Sequence, residues 1–235
     1  YASNSLGTVN PVEQMTAMAR ERGVPVLIDA AQSAPHYPLD LRRLPCDFLV
    51  FSGHKLFGPT GIGVLYGKAE HLAAMPPYQY GGEMIRHVTF EETIYAGIPQ
   101  KFEAGTPHIA GAIGLGAALR YVESLGRENI RRHIEDLGRY AAEQLSLMDG
   151  VRIIGEAARK SAIFSLVVEN VHPHDVATIL DQEGIAVRAG HHCTQPVMDY
   201  FGLPGTTRAS FSIYNTREEV DRLTAALREV RKLFA

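Results

Sequence analysis

Three short, nearly all-apolar runs constrain this chain more than any other feature. They are Val24–Asp29 (VPVLID), Phe48–Ser52 (FLVFS) and Gly61–Tyr66 (GIGVLY). Each is too brief for a helix and lacks the apolar/polar alternation of a strand with one wet face, so each predicts a strand covered on both sides. The segment ahead of the first run reads as a helix. Asn10 is its N-cap, Pro11 its first position and Glu13 the acid three residues on, with Val12, Met15 and Met18 or Ala19 as its apolar stripe and Gly23 as its stop. Helix and apolar strand in alternation predict an α/β fold with parallel pairing.

The middle of the chain, His71 to Gly105, is broken by Pro76-Pro77, Gly81-Gly82 and Pro99 and reads as irregular. A connection of that length usually covers or binds something. Two helices are expected next, over Ile109–Ser124 and Glu128–Met148, the second with Ile130, Ile134, Leu137, Ala141 and Leu145 at helical spacing. Shorter elements then alternate: strands at Val151–Ile154, Ala162–Val168, Ala186–Arg188 and Arg208–Tyr214, and a helix near Asp175–Glu183. Thr216 and Glu219 form a capping box for a last helix with Val220, Leu223, Leu227 and Val230 on its buried face. A boundary near Leu125 divides residues 1–125, part of a larger domain, from 126–235, a smaller α+β domain.

Composition narrows the function. The 235 residues are 46% apolar and 21% charged with net charge −3, enough to build a core and unlike a disordered chain. No apolar run approaches the roughly 20 residues of a membrane span. The opening Tyr1–Asn10 has neither the basic start nor the apolar stretch of a secretory signal. The charge balance gives no electrostatic reason to expect nucleic acid. Two cysteines, Cys46 and Cys193, exclude a disulfide framework and a four-cysteine zinc site and fit a reducing, cytoplasmic setting.

The first chemical constellation is Asp29, Gln32, Ser52, His54 and Lys55. Asp29 ends one apolar strand and Lys55 follows the end of another, and ligands of open α/β sheets bind beyond such strand ends. A carboxylate and an amine there also fit a plain ion pair. The glycines around Lys55 in SGHKLFGPTGIG tip the balance toward a ligand, because they let backbone approach closely. Gly61-Ile62-Gly63 is no dinucleotide fingerprint, since it lacks the third glycine and leads into a strand. DAAQSAPH (Asp29–His36) and SGHKLFGPTGIG (Ser52–Gly63) resemble the two cofactor motifs of pyridoxal 5'-phosphate (PLP) enzymes with the aspartate-aminotransferase fold. That resemblance implies the remainder of a mainly parallel fold type I sheet. It further implies that Lys55 forms a Schiff base with the cofactor, that Asp29 holds the protonated pyridine nitrogen, that Gln32 bonds the phenolic oxygen, and that Ser52 and His54 hold the phosphate.

The second constellation is RAGHHCTQP (Arg188–Pro196) with Arg208. Adjacent His and Cys do not match zinc spacings, and no metal is expected. A thiol in a polar, loop-like segment near Arg188, His191 and His192 is placed to be a thiolate. Arg208 offers a planar fork to a carboxylate. RAGHHC and RASFSIYNT, together with FEAGTP (Phe102–Pro107) and GGEMI (Gly81–Ile85), closely resemble the group II, SufS-like cysteine desulfurases of class V over essentially the whole chain.

By that resemblance, L-cysteine displaces Lys55 from the cofactor while Arg208 clamps its carboxylate. Lys55 moves protons, the Cys193 thiolate takes the substrate sulfur as a persulfide, and L-alanine leaves. A SufE-like or SufU-like acceptor then receives the sulfur for iron–sulfur cluster assembly. Resemblance also assigns Arg188 to positioning the Cys193 loop, Thr106 to the phosphate of the other subunit in a homodimer, and Asn4 to the cofactor's surroundings. The same scaffold also serves selenocysteine lyases and cysteine sulfinate desulfinases, and a degenerate, non-catalytic scaffold that binds a sulfur-transfer partner is a further reading. The family's large domain begins before the residue that is Tyr1 here. A chain of these residues alone is therefore expected to bind PLP poorly and to turn nothing over.

Overall fold

The computed structural model describes residues 1–234. Its first helix, α1 (Val12–Arg20), begins one residue later than Asn10-Pro11 predicts, and no side chain caps it. Asn10 instead donates its side-chain amide to the Tyr1 carbonyl at 3.2 Å. The C-terminal signal behaves as expected. Gly23 adopts φ +65°, its N–H donates to the Arg20 carbonyl and that of Val24 to the Ala19 carbonyl, the pair of hydrogen bonds that closes a helix on a left-handed glycine. The apolar stripe is narrower than the sequence implies: Val12 and Thr16 are buried, whereas Met15 and Met18 are more than half exposed.

Strands β1 (Leu27–Asp29) and β2 (Phe48–Ser52) pair in parallel. β3 (Gly63–Gly67) runs antiparallel to β2, giving the order β1-β2-β3. The reason is the link: residues 53–62 are fewer than the dozen or so that a parallel crossover needs. Full cover on both faces is not what the structure shows, because Leu27, Val64 and Leu65 stay exposed and the described residues leave these strands partly open. The segment expected to be irregular, His71–Gly105, takes in the end of α2 (Ala69–Ala74) and a hairpin, β4 (Ile85–Val88) with β5 (Thr93–Tyr95). Helix α3 (Ile109–Leu125) follows. All these elements belong to one compact unit, Pro11–Pro35 with Leu39–Leu125.

The other unit runs from Gly126 onward. Helix α4 (Arg127–Ser146) buries all five residues of the predicted stripe. Strands β6 (Val151–Ile154), β7 (Ile163–Val168), β8 (Arg188–Gly190) and β9 (Thr206–Ser210) form an antiparallel sheet in the order β6-β7-β9-β8. Helices α5 (Pro173–Gln182), α6 (Gln195–Tyr200) and α7 (Arg217–Leu233) complete it. The Thr216–Glu219 capping box is present, and Val220, Leu223, Leu227 and Val230 are buried. The core gathers Ile134, Leu145, Ile154, Phe164, Leu166, Leu180 and Leu227, each at most 1% exposed.

One part of the 1–125 assignment differs in the structure. Tyr1–Asn10 and His36–Pro38 pack with the C-terminal unit, because hydrogen bonds hold the first ten residues there. Thr8 bridges Lys160, the Ser161 N–H donates to Gly7 at 2.7 Å, and the Ser165 hydroxyl donates to Ser5 at 2.7 Å. Gly7 sits at φ +72°, where a Cβ would collide with the Ile163 carbonyl oxygen. Gly7→Ala therefore combines a disfavoured backbone with a clash. It is expected to cost more than about 1 kcal/mol, read as a lower urea midpoint at unchanged slope. Among the described residues no helix is long and apolar enough to cross a membrane.

Candidate active site

In the unit that holds β1–β3, the lysine motif is built by a sharp reversal. β2 ends at Ser52, and Gly53–Leu56 forms a 3-10 turn closed by Phe57 at φ +62°. Gly53 is essential to the turn, since a Cβ there would lie 2.9 Å from both the carbonyl oxygen and a side-chain carbon of Ile62. The turn presents His54 exposed and Lys55 half-buried. Ser52 Oγ and His54 Nδ1 share a hydrogen bond of 2.7 Å. Asp29 pairs in register with Val50, two residues before Ser52, and its Oδ1 accepts the Ala31 N–H at 2.8 Å.

Asp29, Ala31, Ser52, Gly61 and Gly63 line one open depression of about 500 Å³. Lys55 and the half-buried Gln32 do not line it. Thr106 is exposed in the loop before α3. The donor set fits PLP: a carboxylate for a protonated ring nitrogen, a hydroxyl and an imidazole for a phosphate, and an amine on the adjoining turn. Gly63 supplies backbone where a side chain would strike the Phe51 carbonyl at 2.8 Å.

The other unit collects Asn4, Arg188, Cys193 and Arg208. Arg188 and Arg208 are directly opposed across β8 and β9. Arg188 Nη2 lies 3.8 Å from Cys193 Sγ, and the thiol is exposed, unlike that of Cys46. Arg208 Nη1 donates to the Asn4 carbonyl at 2.7 Å, while its Nε is buried without a hydrogen-bond partner among the described residues. Burial lowers the Arg208 pKa, with the Arg188 charge adding to the effect and a Cys193 thiolate opposing it. His192 and Cys193 both hold left-handed backbone, φ +54° and +60°, a conformation that costs about 1–2 kcal/mol per non-glycine residue. Their surroundings must therefore over-determine the loop.

The two histidines beside Cys193 are tied to neighbouring backbone. His191 Nε2 faces the Pro204 carbonyl at 3.1 Å. His192 is 2% exposed, and its Nε2 meets Thr206 Oγ1 at 2.8 Å and the Thr206 carbonyl at 3.1 Å. Burial, reinforced by the Arg208 charge, lowers its pKa to about 4. At neutral pH this ring is uncharged and lends no positive charge to the thiol; the cation beside Sγ is Arg188. The roles of Thr206 and Asn4 as anchors had no local sequence signal, because they depend on strand register and on a contact 188 residues apart.

His36 behaves like His192, its pKa lowered to about 4 by burial. Both rings are neutral when folded and protonate near 6.5 when unfolded. Stability is therefore expected to fall as pH drops from about 6.5 toward about 4. A urea midpoint lower at pH 5 than at pH 7.5 checks this, and equal midpoints contradict it.

Residues 1–223 match the Aminotransferase class-V family, and the chain belongs to that family. Class-V aminotransferases are PLP enzymes of fold type I. Among its relatives is a probable cysteine desulfurase of Halalkalibacterium halodurans, 49% identical over 234 residues that make up 100% of this chain and 57% of the relative. The apo structure of a cysteine desulfurase from Thermococcus onnurineus NA1 superposes with TM-score 0.94 at 42% identity, covering 98% of this chain and 58% of that one. The cysteine desulfurase CsdA of Escherichia coli, in its S-sulfonic acid form, gives 0.91 at 40% identity, with 100% and 58% covered. The chain thus spans little more than half the length of these relatives.

Proposed function

We propose that this chain carries the chemistry of a PLP-dependent cysteine desulfurase, which converts L-cysteine to L-alanine and leaves the sulfur as a persulfide on Cys193. The observation that carries the reading is the exposed Cys193 thiol with Arg188 at 3.8 Å from its sulfur, in the same unit as a half-buried Arg208 whose Nε has no partner among the described residues. A thiolate and a carboxylate-binding guanidinium are what a sulfur-transfer site for a small amino acid requires.

Asp29, Gln32, Ser52, His54 and Lys55 would hold the cofactor, with Asn4 and Thr106 as further binding residues. When bound, PLP supplies an electron sink at the substrate's Cα. Asp29 keeps a protonated ring nitrogen charged. Lys55 Nζ takes and returns the proton at Cα. Arg208, with Arg188, orients the substrate carboxylate. The Cys193 thiolate forms an S–S bond to the substrate sulfur. The Cβ–S bond breaks with its electron pair on the alanyl fragment, and a proton taken up there completes L-alanine.

A homodimer, a SufE-like or SufU-like sulfur acceptor, a role in iron–sulfur cluster assembly and a cytoplasmic setting complete the proposal, the last supported by two free thiols. The test supplies the full protein with PLP and L-cysteine, and in parallel with L-selenocysteine and L-cysteine sulfinate. Alanine release from cysteine together with one extra sulfur on the Cys193 peptide is expected. Alanine from the other two substrates only, or sulfur on no peptide, would overturn the desulfurase assignment.

A further inference from the structure

His192 is buried, uncharged and unused by the chemistry above, yet it bonds both Asn4 and Thr206, the residues next to Arg208 in the sulfur site's framework. Its main-chain carbonyl accepts the Asn4 side-chain amide at 2.7 Å. The Asn4 carbonyl in turn accepts Arg208 Nη1 at 2.7 Å. Its ring Nε2 reaches the hydroxyl and carbonyl of Thr206, two residues ahead of Arg208 on β9. Its backbone is left-handed, as is that of Cys193, the next residue. One side chain and one carbonyl therefore join the cysteine loop to the strand and the guanidinium of Arg208.

We propose that His192 is a positioning residue that fixes Cys193 Sγ in the cationic field of Arg188 and Arg208. The ring works as a neutral donor: Nε2–H points at the Thr206 carbonyl and hydroxyl, and Nδ1 is buried without a partner among the described residues. A protonated ring would put a third charge beside two arginines, which burial already opposes. Leucine at this position fills the space but cannot hold Thr206. Glutamine places an amide N–H near the position of Nε2–H and keeps the tie.

The inference rests on the function proposed above, in that it takes Cys193 and Arg208 to serve one anionic substrate, but its test needs no turnover. The full protein is alkylated at Cys193 with anionic iodoacetate and with neutral iodoacetamide, and peptide masses separate Cys193 from the buried Cys46. Wild type should react preferentially with iodoacetate. In His192→Leu that preference should fall by roughly tenfold, the low end of what charge focusing supplies, and His192→Gln should restore most of it. A folded His192→Leu with wild-type preference overturns the inference while leaving the proposed function intact. Should His192→Leu not fold, Thr206→Val removes the hydroxyl partner alone: a reduced preference supports the tie, and an unchanged one overturns it. A wild type without preference for the anion overturns both the field at Cys193 and the function built on it.

Discussion

Cys193→Ala in the full protein is expected to keep the cofactor's absorbance and to lose alanine release from L-cysteine by roughly a thousandfold or more, as removal of a covalent nucleophile does. The expectation follows from geometry and from arithmetic. Of the two cysteines in these 235 residues, Cys46 is 1% exposed with burial raising its thiol pKa, so it cannot take over from Cys193. Cys193 is exposed and sits 3.8 Å from a permanent cation. Cys193→Ser retains the shape and the Arg188 neighbour but has no thiolate, so it should fail equally. The assay follows alanine by amino-acid analysis, with the cofactor spectrum recorded on the same samples. Turnover of L-cysteine at the wild-type rate in either variant would remove Cys193 from the reaction.

How much of this was legible in the sequence depended on whether the signal was local. Helix α4 was readable because one face of a helix needs only residues three and four apart, and Ile130, Ile134, Leu137, Ala141 and Leu145 are all buried. The start of α7 was readable because a capping box closes on itself within four residues. Asn10 misled because its amide found a carbonyl in a neighbouring strand-like segment, and a side chain that can cap can equally bond elsewhere.

The pairing of β3 and the docking of the first ten residues are non-local. They depend on link length and on bonds such as that from Ser165 to Ser5, 160 residues apart. Among the candidate residues, types that carry chemistry stood out: Lys55 and Asp29 in one unit, Cys193 and Arg208 in the other. What the sequence hid was charge state. Burial keeps the His192 ring of this HisHis pair neutral, while His191 Nε2 faces the Pro204 carbonyl.

Lys55→Ala and Lys55→Arg together separate two uses of one amine. A lysine near the carboxyl ends of β1 and β2, in the same unit as Asp29, fits both a covalent anchor and a simple ion pair. Arginine keeps the charge but does not deprotonate at any working pH and has no amine to condense with an aldehyde. If Lys55 anchors the cofactor and moves the Cα proton, both variants should lose turnover by about 10²–10⁴-fold from proton transfer alone. Borohydride should then trap no cofactor on the Gly53–Leu56 turn of either. If the amine only balances Asp29, Lys55→Arg should retain most of the activity and Lys55→Ala should not. The turn itself argues for the first outcome. Gly53 is pressed against Ile62 closely enough to exclude a side chain, and the Gly58 N–H closes on the Gly53 carbonyl at 2.9 Å. That constraint fixes where the Lys55 side chain leaves the backbone, which a covalent anchor needs and an exposed ion pair does not.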